Sequence, residues 1–174
     1  MDYGYYKDLL IGKVRNWVYP YLSHEYDASF INEHILISDL GSVYNPERMK
    51  EDGITHILTV VMGIDPAYPE DFRYKKIDIR DTKNENFKKY FDECFEFIEN
   101  AVSKNGKVIV HCAYGISRSS TIVIAYLIRK YRMSYEMAYN LVKNKRNIIE
   151  PNEGFVEQLK EYAERWQKRN RHDV

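Results

Sequence analysis

The sequence has few of the features that mark specialised classes of protein. It contains only two cysteines, Cys94 and Cys112, which are too few for a disulfide-rich scaffold. No apolar run approaches the roughly 20 residues that a membrane span needs, and the first ten residues lack the apolar core of a signal peptide. The 26 basic and 26 acidic residues cancel, so bulk charge supports neither a nucleic-acid nor a membrane partner. We therefore expect a cytoplasmic protein, with the nucleus as the alternative.

What the sequence does contain suits one globular domain. Its 174 residues and its hydrophobic content of 44% are enough for a sizeable core. We assign this domain to residues 28–174 and treat residues 1–27 as a tyrosine-rich arm. Some apolar residues of the arm would share one face of a short helix: Tyr5, Leu9, Leu10 and Val14. The arm is expected to pack either on the domain or on a partner chain, as part of a homodimer.

One stretch has the pattern of a buried strand, a tight loop and the start of a helix. Val108 to Val110 are three β-branched residues in a row, as in a strand that is covered on both faces. Residues 121–128 are all apolar or β-branched, and two basic residues, Arg129 and Lys130, follow them, as a helix C-terminus prefers. Between them lie Cys112 and Arg118, six positions apart, with Gly115 inside the loop.

This spacing has a chemical meaning. A loop that leads into a helix N-terminus directs several backbone N–H groups at one point, where they can hold a phosphate. The same field stabilises a thiolate at Cys112, and the planar fork of Arg118 can bind two phosphate oxygens. Gly115 permits a turn that a Cβ would obstruct. A thiolate beneath a bound phosphate can attack phosphorus and form a phospho-cysteine.

The motif His-Cys-x5-Arg-Ser, from His111 to Ser119, resembles the signature of the cysteine-dependent protein tyrosine phosphatases. The flanking sequence is most similar to the small, atypical dual-specificity phosphatases. The resemblance implies that Ser119 stabilises the thiolate as a leaving group and that His111 holds the loop by hydrogen bonding. It also implies that the phosphate-binding loop consists of His111, Ala113, Tyr114, Gly115, Ile116 and Ser117.

Transfer of a phosphate also requires a proton for the leaving oxygen. The resemblance assigns this role to Asp81, because the stretch around it, RYKKIDIRDTKNENFKKYF, matches the family's strand, loop and aromatic-rich helix. Asp78, inside the predicted strand, is the alternative acid. The segment Pro151-Asn152-Glu153-Gly154-Phe155 also resembles a family segment, in which Asn152 either braces the phosphate loop or caps the last helix. Tyr114 departs from the family, which usually has a small residue there, and it either narrows the pocket or projects outward.

Apolar and amphipathic segments alternate along the rest of the chain. We predict strands at 35–37, 54–62, 72–79 and 108–110, and helices at 45–52, 86–102, 121–130, 134–145 and 152–168. We interpret His56 as a packed side chain and Cys94 as part of the core. The helix at 134–145 is predicted to bury Met137, Ala138, Leu141 and Val142. The pattern indicates an α/β fold: a central, mostly parallel twisted sheet of four or five strands, with helices on both faces.

The sequence therefore predicts an enzyme that hydrolyses phosphotyrosine and phosphoserine or phosphothreonine in a phosphoprotein substrate. No cofactor or metal is expected, because the loop amides and Arg118 would supply the positive charge. Three other functions remain open at this point: a phosphatase for phosphoinositides or RNA 5′-phosphates, a phospho-binding module, and a sulfur-transfer or arsenate-reducing enzyme. The neutral loop argues against the first, and the intact Cys112 and Asp81 argue against the second. The Arg118-Ser119 pair argues against the third.

Overall fold

A computed structural model describes residues 25 to 169 of the chain. Residues 1–24 of the predicted N-terminal arm, and with them the proposed contact in a homodimer, lie outside the described residues. Five strands form one sheet in the order β1-β2-β5-β3-β4. They are β1 (Ala28–Phe30), β2 (Ile35–Ser38), β3 (His56–Thr59), β4 (Arg73–Lys76) and β5 (Val108–His111). Only β1 is antiparallel to its neighbour, which confirms the prediction of a mostly parallel sheet of four or five strands.

Five α-helices and two short 3₁₀ turns accompany the sheet in the described residues. The helices are α1 (Pro46–Glu51), α2 (Phe91–Val102), α3 (Arg118–Tyr131), α4 (Tyr135–Lys145) and α5 (Glu153–Arg169). The 3₁₀ turns are Ser42–Tyr44 and Lys88–Tyr90. Within residues 25–169, no helix has the length and apolar character needed to cross a membrane.

The central strand β5 divides the core into two layers. Side chains alternate between the faces of a strand, so Val108 and Val110 join the large cluster beneath α2, α3, α4 and α5. Ile109 points to the other face and joins a smaller cluster that includes Met49 of α1. The run of β-branched residues in β5 is therefore buried on both sides, as its sequence predicts.

Local signals set several helix ends as expected. Asn45 accepts a hydrogen bond from the backbone N–H of Arg48 at 3.0 Å and so caps α1, with Pro46 in the first helical position. Ser134 caps α4 in the same way, accepting from the N–H of Met137 at 3.2 Å. Gly53 follows α1 with φ of 77°, a conformation that glycine adopts without strain.

Four details differ from the predictions. Strand β1 is missed, because three residues that pair with a single neighbour carry no usable alternation. The strands predicted at 54–62 and 72–79 pair over only four residues each, since the chain is still turning out of α1 at Ile54, whose N–H bonds to Met49. Helix α2 begins five residues later than predicted, after a 3₁₀ turn. Met137 is 61% exposed, because α4 buries only the narrow stripe of Ala138 and Val142.

Candidate active site

The predicted loop lies at the carboxyl edge of the sheet, between its central strand and its most buried helix. Strand β5 delivers Cys112, and α3 begins at Arg118. The loop between them turns at Gly115, whose φ is 66°. A Cβ on Gly115 would come within 2.7 Å of the carbonyl oxygen of Ser38 and of an Arg146 nitrogen. Glycine is therefore required here by both backbone conformation and space.

Residues around the loop hold it in place by hydrogen bonds to its backbone carbonyl groups. Backbone or side-chain N–H groups donate to four of them: Leu40 to Ala113 at 3.2 Å, Arg146 Nε to Gly115 at 2.9 Å, Glu150 to Ile116 at 3.0 Å, and Thr121 to Ser117 at 2.9 Å. In a trans peptide the next N–H points away from the carbonyl. The N–H groups that follow these carbonyls therefore turn to the concave side of the loop, which makes it a nest for an anion.

Cys112 lies at the bottom of this nest and is 2% exposed. Its sulfur is 3.3 Å from the hydroxyl oxygen of Ser119, in the first turn of α3. The other thiol, Cys94, is buried in the core on α2, where burial raises its pKa. The two cysteines thus have different surroundings, and only Cys112 faces the loop.

Arg118 is directed along the loop and is mostly buried. Its Nη1 donates a hydrogen bond to the carbonyl oxygen of Ile79 at 3.3 Å. Its Nε lies 3.4 Å from a carboxylate oxygen of Asp81, close enough for an ion pair. The geometry does not make this contact a hydrogen bond, and the Nε–H has no hydrogen-bond partner among residues 25–169. Arg118 is therefore a buried cation beside the loop, with one of its donors unsatisfied.

Asp81 is the carboxylate that the structure brings to the loop. Its Oδ1 accepts hydrogen bonds from the hydroxyl of Ser117 at 2.7 Å and from the amide nitrogen of Asn152 at 2.8 Å. The alternative acid, Asp78, instead accepts from the backbone N–H of Gly63 at 3.0 Å and does not contact the phosphate loop. Asp81 is thus fixed beside Arg118, at the mouth of the nest.

Asn152 both caps a helix and braces the loop, so the two alternatives for this residue hold together. Its Oδ1 accepts from the N–H of Phe155 at 3.1 Å, at the start of α5. Its Nδ2 donates to Asp81, and its backbone N–H donates to the Ser117 hydroxyl at 3.2 Å. Asn152, Ser117 and Asp81 form one network that joins α5 to the phosphate loop.

His111 is the last residue of β5 and is fully buried. Its Nε2 is hydrogen-bonded to the hydroxyl of Thr59 on the neighbouring strand, at 2.8 Å. Burial lowers the pKa of His111 to about 4. The imidazole is therefore neutral at physiological pH, and its hydrogen bond joins the end of β5 to β3. That His111 also holds the loop stays a prediction.

Tyr114 is 59% exposed. A side chain that is so exposed does not fill the nest, and whether its ring narrows the mouth of the pocket or projects onto a substrate stays a prediction. A depression of about 490 Å³ adjoins the nest. It is lined by Asp81, Lys83, Ser117, Glu150, Pro151, Asn152 and Glu153. Across residues 25–169, no group of three or more His, Cys, Asp and Glu side chains is placed to hold a metal ion.

Sequence reasoning missed two contributors to this site. The hydroxyl of Ser117 was treated only as part of a neutral loop, whereas it bonds to Asp81. Arg146 lies just after the helix predicted at 134–145 and carried no predicted role, whereas its guanidinium contacts the loop carbonyl of Gly115. No signal in the sequence separates Arg146 from the exposed basic residues beside it, because its partners lie more than 30 positions away.

Comparisons with known proteins agree with this geometry. Residues 38–165 match the family model "Dual specificity phosphatase, catalytic domain". Dual specificity protein phosphatase 1B of Arabidopsis thaliana is 41% identical over 136 residues, which are 78% of this chain and 81% of that protein. Dual specificity protein phosphatase 19 of Mus musculus is 39% identical over 141 residues, 81% of this chain and 64% of that protein.

Solved structures are similar over the same region. The human tyrosine phosphatase-like serine/threonine/tyrosine-interacting protein superposes with a TM-score of 0.78 at 34% sequence identity. The superposition covers 82% of this chain and 99% of that one. The residues that match the family model, 38–165, include β5, the phosphate loop and α3.

Proposed function

The chain belongs to the family of dual specificity phosphatase catalytic domains, and on that premise we propose that Cys112, Arg118 and Asp81 catalyse its reaction. The chain is accordingly a cysteine-based dual-specificity protein phosphatase, whose substrates are phosphorylated proteins. The observation that carries the assignment of roles is the placement of a thiol, a guanidinium and a carboxylate around one anion nest. We assign the catalytic domain to residues 28–174.

In the first step, the phosphate enters the nest, where Arg118 and the loop amides bind its non-bridging oxygens. An electron pair of the Cys112 thiolate forms a sulfur–phosphorus bond while the bond from phosphorus to the leaving oxygen breaks. Asp81 gives its proton to that oxygen, so that the side chain leaves as a neutral hydroxyl group. For this step the Asp81 carboxyl, held by Ser117 and Asn152, is already at the mouth of the nest.

In the second step, water attacks the phospho-cysteine. Its oxygen bonds to phosphorus, the sulfur–phosphorus bond breaks, and the electron pair returns to the sulfur. Asp81, now ionised, takes the proton of the water. The hydroxyl of Ser119, 3.3 Å from the sulfur, donates a hydrogen bond to the departing thiolate.

The test measures hydrolysis of matched phosphotyrosine and phosphothreonine peptides, with reductant and without added metal. We expect wild type to hydrolyse both peptides. Cys112→Ser should lower kcat by roughly 10⁴-fold or more, because it removes the nucleophile. Inorganic phosphate should still bind to this variant, since the loop and Arg118 are intact. Near-normal turnover by Cys112→Ser would contradict the mechanism.

Asp81→Asn has a matched control in Asp78→Asn. Loss of a general acid costs about 10²- to 10⁴-fold. The loss should be large on the phosphopeptides, above all on phosphothreonine, whose alkoxide is the poorest leaving group, and small on a nitrophenyl phosphate, whose leaving group needs no proton. Asp78→Asn should keep the wild-type rate on both substrates, because Asp78 does not contact the loop. Phosphate binding without turnover of either peptide by wild type would favour a phospho-binding module or another phosphate ester as substrate.

A further inference from the structure

Arg146 is a buried arginine that follows α4 directly and reaches the phosphate loop from behind. It is 4% exposed, although its neighbours in sequence are surface residues. Its Nε donates to the carbonyl oxygen of Gly115 at 2.9 Å. Its two terminal nitrogens form a bidentate pair with the carboxylate of Asp27, at 2.7 and 2.6 Å. A buried guanidinium is stable only when its donors are satisfied, and here one partner is the loop itself.

Asp27, just before β1, connects this arginine to a second support of the loop. The backbone N–H of Asp27 donates to the hydroxyl of Ser42 at 2.8 Å, and that hydroxyl donates to the carboxylate of Asp39 at 2.6 Å. The next residue, Leu40, donates its N–H to the loop carbonyl of Ala113. Asp27 therefore joins the supports of two loop carbonyls, those of Ala113 and Gly115.

The direction of the Gly115 carbonyl matters for anion binding. The N–H of Ile116 belongs to the same peptide group and points the opposite way, into the concave side of the loop. A cation bonded to the carbonyl fixes this orientation and polarises the peptide, which makes its N–H a stronger donor to an anion. Hydrogen bonds from Arg146 also hold the pKa of Asp27 below its ordinary value, so the partner of Arg146 stays ionised.

We propose that Arg146 and Asp27 are positioning residues of the active site: together they hold the Gly115 carbonyl outward and so aim the phosphate loop at its anion. This inference rests on the proposed function and deepens it. It extends the site to a residue before the first strand. Neither residue lines the depression beside Asp81, so we expect their effect to act through the geometry of the loop.

The experiment measures the dissociation constant of orthovanadate by calorimetry, together with kcat, KM and the melting temperature. Arg146→Met should weaken orthovanadate binding and lower kcat/KM roughly 10- to 100-fold, the range expected for a small displacement of an aligned site. Arg146→Lys keeps the positive charge but not the planar guanidinium, and its losses in orthovanadate affinity and kcat/KM should be smaller than those of Arg146→Met. Asp27→Asn should bind orthovanadate with an affinity between those of wild type and Asp27→Ala, because an amide oxygen still accepts one guanidinium N–H.

Arg129→Met is the matched control. Arg129 forms ion pairs with Asp92 and Glu96 at 3.0 and 2.5 Å. It lies eleven residues along α3 from Arg118, a distance of roughly 16 Å along the helix. This variant should lower the melting temperature and leave orthovanadate binding unchanged. Asp27→Ala combined with Arg146→Met should bind orthovanadate about as weakly as Arg146→Met alone, because both changes break the same support.

Two results would overturn the proposal. One is wild-type orthovanadate binding in Arg146→Met and Arg146→Lys despite a lower melting temperature, which would make the pair a structural ion pair only. The other is additive losses of binding in the double variant, which would show that the two residues act separately. Orthovanadate binding by wild type without peptide turnover would contradict the proposed function instead, and the binding series would still test the pair.

Discussion

The hydroxyl of Ser119 lies 3.3 Å from the sulfur of Cys112, on the first turn of α3. A hydrogen bond to a charged group contributes about 1.5 to 3 kcal/mol, and a thiolate carries this charge when it leaves phosphorus. Ser119→Ala should therefore slow hydrolysis of the phospho-cysteine by roughly 10- to 100-fold and leave its formation nearly unchanged.

Stopped-flow measurement with a nitrophenyl phosphate checks this prediction. The variant should release about one equivalent of nitrophenol in a burst and then turn over slowly. Ser120→Ala separates the two roles, because the hydroxyl of Ser120 supports the loop carbonyls of Ile116 and Ser117 without contacting the sulfur, so this variant should show no burst. A steady-state rate limited by the first step in Ser119→Ala would contradict the role of the hydroxyl.

Tyr114 is the loop residue that departs from the family, and its exposed ring is positioned to meet a polypeptide rather than the phosphate. Tyr114→Ala should raise KM for phosphopeptides several-fold, since a buried aromatic contact contributes about 0.5 to 1.5 kcal/mol. The kcat on a small aryl phosphate should stay within a factor of about two, because the nest is unchanged. Tyr131→Ala, which removes an equally exposed ring at the far end of α3, should alter neither value. Equal losses on both kinds of substrate would place Tyr114 inside the nest.

At the scale of single elements, the phosphate loop depends on one backbone conformation. Gly115 and Gly53 both have positive φ, at 66° and 77°. An alanine held at such a positive φ lowers the free energy of unfolding by about 1 to 2 kcal/mol at either position. A Cβ at Gly53 would make only ordinary contacts with the Lys107 side chain, at 3.6 Å or more, whereas one at Gly115 would collide with Ser38 and Arg146.

The two alanine variants should therefore differ in activity more than in stability. Gly53→Ala should lower the free energy of unfolding and leave kcat/KM unchanged. Gly115→Ala should in addition lower kcat/KM by roughly 10- to 100-fold, because the loop must move to accommodate the Cβ. Urea unfolding and peptide kinetics on both variants check this. Equal kcat/KM in the two would mean that the loop tolerates the displacement.

The elements that the sequence predicted well are those with a local cause. Asn45 and Ser134 cap their helices as expected, and the β-branched run of β5 is buried as expected. Strand β1 had no such local cause, because it is defined by its pairing with β2 and not by its three residues. The prediction that Met137 is buried was wrong for a related reason. Apolar spacing shows which residues could share a face of a helix, and only packing decides how wide the buried stripe is.

At the scale of the whole molecule, the site residues that lie close in sequence were predictable, and those that are far apart were harder to predict or were missed. Cys112, Ser119 and Arg118 lie within eight consecutive residues, so one motif was enough to predict their proximity. Asp81 could be placed only by its resemblance to a family segment, since 36 residues separate it from the Ser117 hydroxyl that it contacts. The pairing of Asp27 with Arg146 spans 119 residues and left no trace in either local sequence. Contacts of this kind follow from the sheet order, in which only β2 lies between β1 and β5.

The buried imidazole of His111 links the active site to the stability of the whole domain. Its pKa is about 4 in the folded protein, against 6.5 for an unperturbed histidine. Below pH 6.5 the unfolded chain binds a proton at His111 that the folded chain does not, until the pH falls to about 4. The contribution of His111 to the free energy of unfolding is therefore complete above pH 6.5 and is lost progressively as the pH falls from 6.5 to about 4.

At pH 5 the expected loss is about 2 kcal/mol, since each pH unit in this window corresponds to about 1.4 kcal/mol. His111→Gln removes this titration and can keep a hydrogen bond to Thr59. Urea unfolding at pH 7.5 and pH 5 should therefore show wild type losing about 2 kcal/mol more than the variant. His56, whose pKa is also lowered by burial, and the carboxylates are common to both proteins, so their effects cancel. Parallel losses in wild type and variant would mean that folding leaves the pKa of His111 near its ordinary value, which would contradict the effect of burial.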